Sequence, residues 1–267
     1  MKKIVALLFL PLFCQGMDKP STSLDRSTIE RKKWAYQSFA NFMSQYSQNK
    51  AQWTTSQTIS QIKYWVNDER VDINTLHNGM TLLDLASKLK QTQVVRFLLD
   101  SGANPRLGTP LLMATSVSEN VEIVKMLINA GANLNIQDNQ GDTPLMNAIL
   151  NINQEMAHEL IRAGADVNIK SRFGGPALRL AVLNGTAETV KELIDAGADL
   201  NYVDKLGWTP LITAVQKGYE SIAELLVDAG ADPTKTEFWG LTALDIAKER
   251  NNQNLINLLS RSTAKLP

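Results

Sequence analysis

One short motif returns at a constant step, with its alanine at Ala148, Ala181, Ala214 and Ala247, and few folds accommodate such a regular interval. Two earlier copies carry Ala86 and Ala114, and the interval between those two is shorter. Gly131, Gly164, Gly197 and Gly230 keep the same step as the later alanines. Self-similarity at this period marks a solenoid, in which each supersecondary unit buries its apolar face against its neighbours.

Residues 204–236 show how one unit is built. Asp204, Lys205, Leu206 and Gly207 form a tight turn, where glycine tolerates positive φ. Thr209 is expected to cap a helix with its hydroxyl, and Pro210 suits the first helical position. Leu211 and Ala214 face inward, the small Ala214 admitting the partner helix closely. Gly218 allows the chain to reverse. The spacing then predicts a second helix that buries Ile222, Leu225 and Leu226 and stops at Gly230 in the left-handed conformation. Helices this short are not stable alone. The same grammar recurs at 141–166 and 174–199, and it opens again at Gly240, Thr242, Leu244 and Ala247. The last second helix ends Leu258, Leu259, Ser260, Arg261 without the Gly-Ala-Asp tail, as a solvated end cap requires.

These residues resemble the ankyrin-repeat family, with its Thr-Pro-Leu-His-x-Ala signature, over about 67–262. The resemblance implies an all-α solenoid of about six repeats. Val71 to Asn74 look like the tail of a further, diverged unit. The family's histidine is absent from every copy: Asp84, Leu112, Met146, Arg179, Ile212 and Asp245 stand there. That substitution implies the loss of a turn-stabilising hydrogen bond with packing intact. Pro176 and Ala177 replace Thr-Pro in the fourth copy, which removes that cap hydroxyl. The short copy between Gly79 and Gly108 implies a truncated hairpin.

The chain start differs. Lys2 and Lys3 precede an apolar run from Ile4 to Phe13, with Cys14 and Gly16 as small residues before a cut. This is the pattern of a secretory signal peptide over 1–16, and the run is too short to span a bilayer. Acylation of Cys14 fits less well, because Phe13 is bulky. A flexible lead-in is expected over 17–27, and a helical cap over 28–66 with helices near 28–48 and 57–67. The cap carries Trp34, Tyr36, Trp53, Tyr64 and Trp65. Residues 263–267 form a tail. An exported, periplasmic or secreted monomer is therefore expected, with no membrane span once the signal is removed.

Charge and residue inventory then restrict function. Lys and Arg number 27 and acids 27, so no basic excess exists to displace counterions from nucleic acid. One cysteine and two histidines, His77 and His158, offer no zinc cluster, and no phosphate-loop pattern occurs. His158 sits where a unit shows a solvent-facing charge. No cofactor, metal or catalytic set is expected, and no enzyme. The resemblance instead implies a protein partner held by turn tips and first helices. Mapped here, it singles out Arg172, Phe173, Lys205, Leu206, Trp208, Phe238, Trp239 and Leu241. Asn139, Gln140, Asp142, Asn184, Gln216 and Lys217 flank them. Aromatics and Arg dominate interface hot spots, which favours the last three tips. The alternatives are an accessory or inhibitor subunit of an envelope or secreted enzyme, or an effector directed at a host.

Overall fold

The structure is a computed structural model that describes residues 37, 38, 41, 55–64, 72–74, 76, 79–172 and 175–263. The chain divides into two units, up to Leu82 and from Leu83 onward. In the first, the described residues include helix α1, Thr55–Lys63, with Thr58 and Ile62 buried. It corresponds to the second of the two expected cap helices; most of the first lies outside the described residues. At the turn ahead of the repeats, the Asn74 amide donates to the Asp72 side chain at 3.0 Å. That is the local geometry also found at Asp166–Asn168 and Asp199–Asn201, as expected of a diverged repeat tail.

Twelve further helices follow among the described residues, in six antiparallel pairs. They are α2 (Leu82–Lys88) with α3 (Thr92–Asp100), α4 (Pro110–Thr115) with α5 (Val121–Asn129), and α6 (Pro144–Leu150) with α7 (Gln154–Arg162). Then come α8 (Ala177–Asn184) with α9 (Ala187–Asp195), α10 (Pro210–Lys217) with α11 (Glu220–Asp228), and α12 (Ala243–Glu249) with α13 (Gln253–Thr263). From α4 onward, first helices pack on first helices (α4, α6, α8, α10, α12), while second helices stack in order from α3 to α13. The result is an all-α solenoid. The isolated bridges Ser171 to Gly175 and Thr236 to Thr242 are local features, and no strand forms among the described residues.

The core repeats with the motif. Ala86, Ala114, Ala148, Ala181, Ala214 and Ala247 are fully buried, so the absence of a longer side chain lets paired helices approach. Leu145, Leu178 and Leu211 on the first helices, and Leu127, Leu160, Leu193 and Leu226 on the second, are buried to 1% exposure or less. Each such leucine contributes about 1.5–3 kcal/mol before entropy is subtracted. Leu225 departs from the expected set: it is only half-buried, and Ala223 takes the inward place beside Ile222.

Capping follows the residues closely. The hydroxyls of Thr143, Thr209 and Thr242 accept from the amides of Met146, Ile212 and Asp245, whereas Pro176 supplies no side-chain cap. The reversal between paired helices is left-handed in all six units. Gly185 (φ 73°) and Gly218 (φ 74°) serve two of them, while Lys90, Glu119, Ile152 and Asn251 adopt the same region without being glycine. The connection between α5 and α6 runs over 130–143, and later units repeat that length. The one between α3 and α4 covers only 101–109, which matches the truncated hairpin.

Candidate functional site

In the connections 130–143, 196–209 and 229–242 the tip is a closed turn, and these connections, together with 163–176, are termed fingers. Asp204 N donates to Trp208 O at 3.1 Å, and Gly207 N to Asp204 O at 3.1 Å. The Asp204 carboxylate also accepts from the amides of Leu206 (2.8 Å) and Trp208 (3.0 Å). Asp138 does the same for Gln140 and Asp142, and Glu237 for Trp239 and Leu241. An acidic side chain therefore satisfies amides that a sharp turn would leave without partners.

Neighbouring fingers are joined edge to edge. Arg172 N donates to Gln140 O, and Phe238 N to Leu206 O, both at 2.9 Å. Nearer the finger base runs a second seam. The side-chain oxygens of Asn135, Asn168 and Asn201 accept from the amides of Asp166 (2.9 Å), Asp199 (2.8 Å) and Asp232 (2.8 Å) in the following unit. These bonds set the fingers in a fixed row.

The structure separates the expected contact residues. Phe238 and Trp239 stand 75% and 71% exposed at the tip of the last finger, in an edge-on ring contact with each other at 5.7 Å. Leu206 is 54% exposed, and Arg172 and Lys205 are exposed as well. Trp208 and Leu241 are half-buried, and the Trp208 indole N–H is enclosed without a hydrogen-bond partner. Phe173 lies outside the described residues. The first full finger differs in kind: Asn135, Gln137, Asn139 and Gln140 are exposed, polar and uncharged.

Several flanking residues serve the fold. Asp142 is buried, and its carboxyl is raised above the usual value by desolvation first and by the neighbouring Asp138 charge second, against a hydrogen bond with Ser171. The Asn184 amide donates to Ile149 O at 2.8 Å, and Gln216 accepts from the Arg250 guanidinium at 3.2 Å. Asn120 and Asn151 make similar bonds to Ser87 O and Thr115 O across earlier units. Such contacts join positions about one whole unit apart, so they leave no local periodicity to read.

The positions that lack the family histidine are not uniformly silent. Asp84 is fully buried and accepts the Thr109 amide of the next unit at 2.7 Å. Arg179 reaches Asp204 at 3.4 Å, and Asp245 closes a capping box with Thr242. At these three copies a charged substitute makes its own bond, while Leu112, Met146 and Ile212 are simply buried.

On the second helices, His158 Nδ1 lies 2.8 Å from Glu192 of the next unit. Arg96 pairs with Glu122 and Lys125 with Glu155 in the same unit-to-unit manner. His158 thus belongs to a row of exposed polar contacts that link successive second helices, and surface contacts of this kind contribute little to stability. Among the described residues no group of three His, Cys, Asp or Glu could hold a metal ion, and no helix is long and apolar enough to cross a membrane. An open crevice of about 490 Å³, lined in part by Arg106, Ile128, Asn133 and Leu134, lies away from the aromatic tips.

Stacked helical pairs with hydrogen-bonded fingers define a repeat solenoid of the kind that presents one long surface. Comparison with known proteins agrees. A profile of three consecutive ankyrin repeats matches residues 102–171, 152–238 and 178–266, and a single-repeat profile matches 78–109. The chain belongs to the ankyrin-repeat family. A crystal structure of an ankyrin repeat domain from Acinetobacter baumannii superimposes with a TM-score of 0.63 and 32% identity, over 68% of this chain and 97% of that one. The human fibronectin type 3 and ankyrin repeat domains protein 1 is 44% identical over 54 residues, 20% of this chain and 15% of its own length. A putative ankyrin repeat protein of fowlpox virus is 36% identical over 100 residues, covering 34% of this chain and 29% of the viral protein. The chain thus spans less than a third of each of these curated relatives.

Proposed function

We propose that this chain is an exported, non-catalytic module that binds another protein through its finger tips and first helices. The observation that carries the reading is the Phe238–Trp239 pair, nearly three-quarters exposed at a tip and in edge-on contact with each other. Large apolar side chains held together in solvent usually serve an interaction, and aromatics are the commonest interface anchors. Rigid, zipped fingers also lower the ordering cost of association. In this role the chain serves as scaffold, inhibitor or accessory of an exported or host protein.

The test is capture from the native envelope and medium by the mature chain and by its Phe238→Ala/Trp239→Ala variant. A partner retained by the first and lost by the second, with equal helicity and melting, supports the reading. Equal capture by both moves the site elsewhere. The lysines, the apolar run and the small residues of 1–16 support export. The intact native mass should then begin at Met17. A mass that keeps Met1, or one that begins at an acylated Cys14, contradicts export by this cleavage.

A further inference from the structure

We infer that the last three fingers receive an acidic segment of the partner that carries an apolar anchor; this rests on the protein-binding reading above. The connections 163–176, 196–209 and 229–242 hold five carboxylates; each accepts an amide of its own loop, and Asp204 is also reached by Arg179 of α8. Asp166 accepts the Asn168 amide and Asp199 that of Asn201. Asp204 accepts those of Leu206 and Trp208, Asp232 that of Thr234, and Glu237 those of Trp239 and Leu241. Glu237 is 5% exposed. The cations of the same fingers are left without such bonds. Arg172 and Lys205 are exposed with no acid in pairing distance among the described residues. Lys170 lies over the Tyr202 ring at 5.0 Å, and Lys235 keeps only a 4.0 Å contact with Asp232.

The cation excess lies at the tips, where Lys170, Arg172 and Lys205 are set against only Asp204, itself reached by Arg179, and the buried Glu237. Asp166, Asp199 and Asp232 belong instead to the seam nearer the finger base. A chain with zero formal net charge thus presents a local cationic edge at these tips. Leu206, Phe238 and Trp239 stand within that edge, and the Phe238–Leu206 backbone bond fixes their fingers side by side. Complementarity to such a surface is a run of carboxylates with at least one large apolar side chain. A basic or uncharged segment meets unpaired cations that must be desolvated without return. Nucleic acid needs a broad basic excess, which the first full finger, with Asp138 and Asp142 and no Lys or Arg, does not continue.

The experiment is selection of random, phage-displayed dodecapeptides on the immobilised full chain. The expected pool is enriched in Asp and Glu with at least one Leu, Ile, Phe or Trp. A recovered peptide should weaken as salt rises. It should lose roughly tenfold or more in affinity to Arg172→Glu/Lys205→Glu, and a similar factor to Phe238→Ala/Trp239→Ala. Both variants alter exposed side chains, and matched melting curves confirm that they fold. A pool of neutral or basic peptides that still needs the two rings overturns the acidic inference and leaves the protein-binding reading standing. Acidic peptides indifferent to the charge reversals also overturn it, as does enrichment no greater than on the ring-deleted variant. Binding of phosphatidylglycerol–phosphatidylcholine vesicles or of oligo-dT, abolished by the same variants, would overturn it by assigning the edge to lipid or nucleic acid instead.

Discussion

Gly197 and Gly207 hold nearly the same backbone, φ 82° and 80°, in opposite surroundings. A methyl group added at Gly197 meets nothing within 4 Å, whereas at Gly207 it falls 3.0 Å from Glu237 Cα and 3.1 Å from Phe238 N, which are main-chain atoms of the next finger. Alanine at either site carries the left-handed cost, about 1–2 kcal/mol. Both substitutions restrict the unfolded chain equally, so that contribution cancels in the comparison. At Gly207 the next finger must also retreat, which stretches the 2.9 Å bond from Phe238 N to Leu206 O, worth about 0.5–1.5 kcal/mol. Gly207→Ala should therefore cost roughly 1 kcal/mol more than Gly197→Ala. Urea unfolding gives the difference. Repeat arrays can unfold in more than one step, so native-state hydrogen exchange at the Phe238 amide supplies the local check. Equal losses for the two variants, or an unchanged Phe238 amide in Gly207→Ala, would refute the claim that the fingers are zipped.

Ile152 is β-branched, 65% exposed and at φ 54°, so Ile152→Gly should raise stability in urea unfolding by about 1 kcal/mol, and a loss would show unrecognised packing at that corner. Leu193 is fully buried between second helices, and Leu193→Asp should cost several kcal/mol and melt neighbouring units together, seen as joint loss of amide protection across α7, α9 and α11. Because Asp142 is raised in the folded state, its protonated form favours folding, and that contribution disappears as pH rises through the raised value. Asp142→Asn should accordingly be stabilising at neutral pH, with the advantage shrinking toward zero in acid; a constant difference across the pH range would contradict the assignment.

The local grammar of the repeat was legible in the sequence because it is written in neighbouring residues. Thr209 caps where a Thr before Pro should, Gly218 turns the chain, and Ala214 disappears into the helix contact. Even the missing hairpin ahead of α4 shows as a short interval. What sequence did not reveal are contacts between units. Asp84 in the histidine's place supports Thr109, Arg179 reaches Asp204, and Asn184 and Gln216 are occupied by neighbours rather than free for a partner. Each depends on how one loop sits on the next, which no single repeat encodes. The tip aromatics illustrate the same boundary. Phe238, Trp239 and Trp208 flank turn glycines alike, but Trp208 is half-buried with an enclosed indole N–H while the last finger leaves its two rings in solvent.

The asparagine seam at the finger base has a consequence for chain length. Asn135 bonds the amide of Asp166, and Asp199 holds the equivalent place one period later, under Asn168. Excision of the stretch 166–198 would bring the Asp199 amide to Asn135 and restore the same bond, with Pro210 meeting the place that Ala177 left. Loss or duplication of one whole period therefore leaves the seam closed, whereas a slightly longer or shorter deletion mismatches every bond at the junction. Such a chain changes size only in whole steps, and each step moves the aromatic end of the finger row nearer to or farther from its polar beginning.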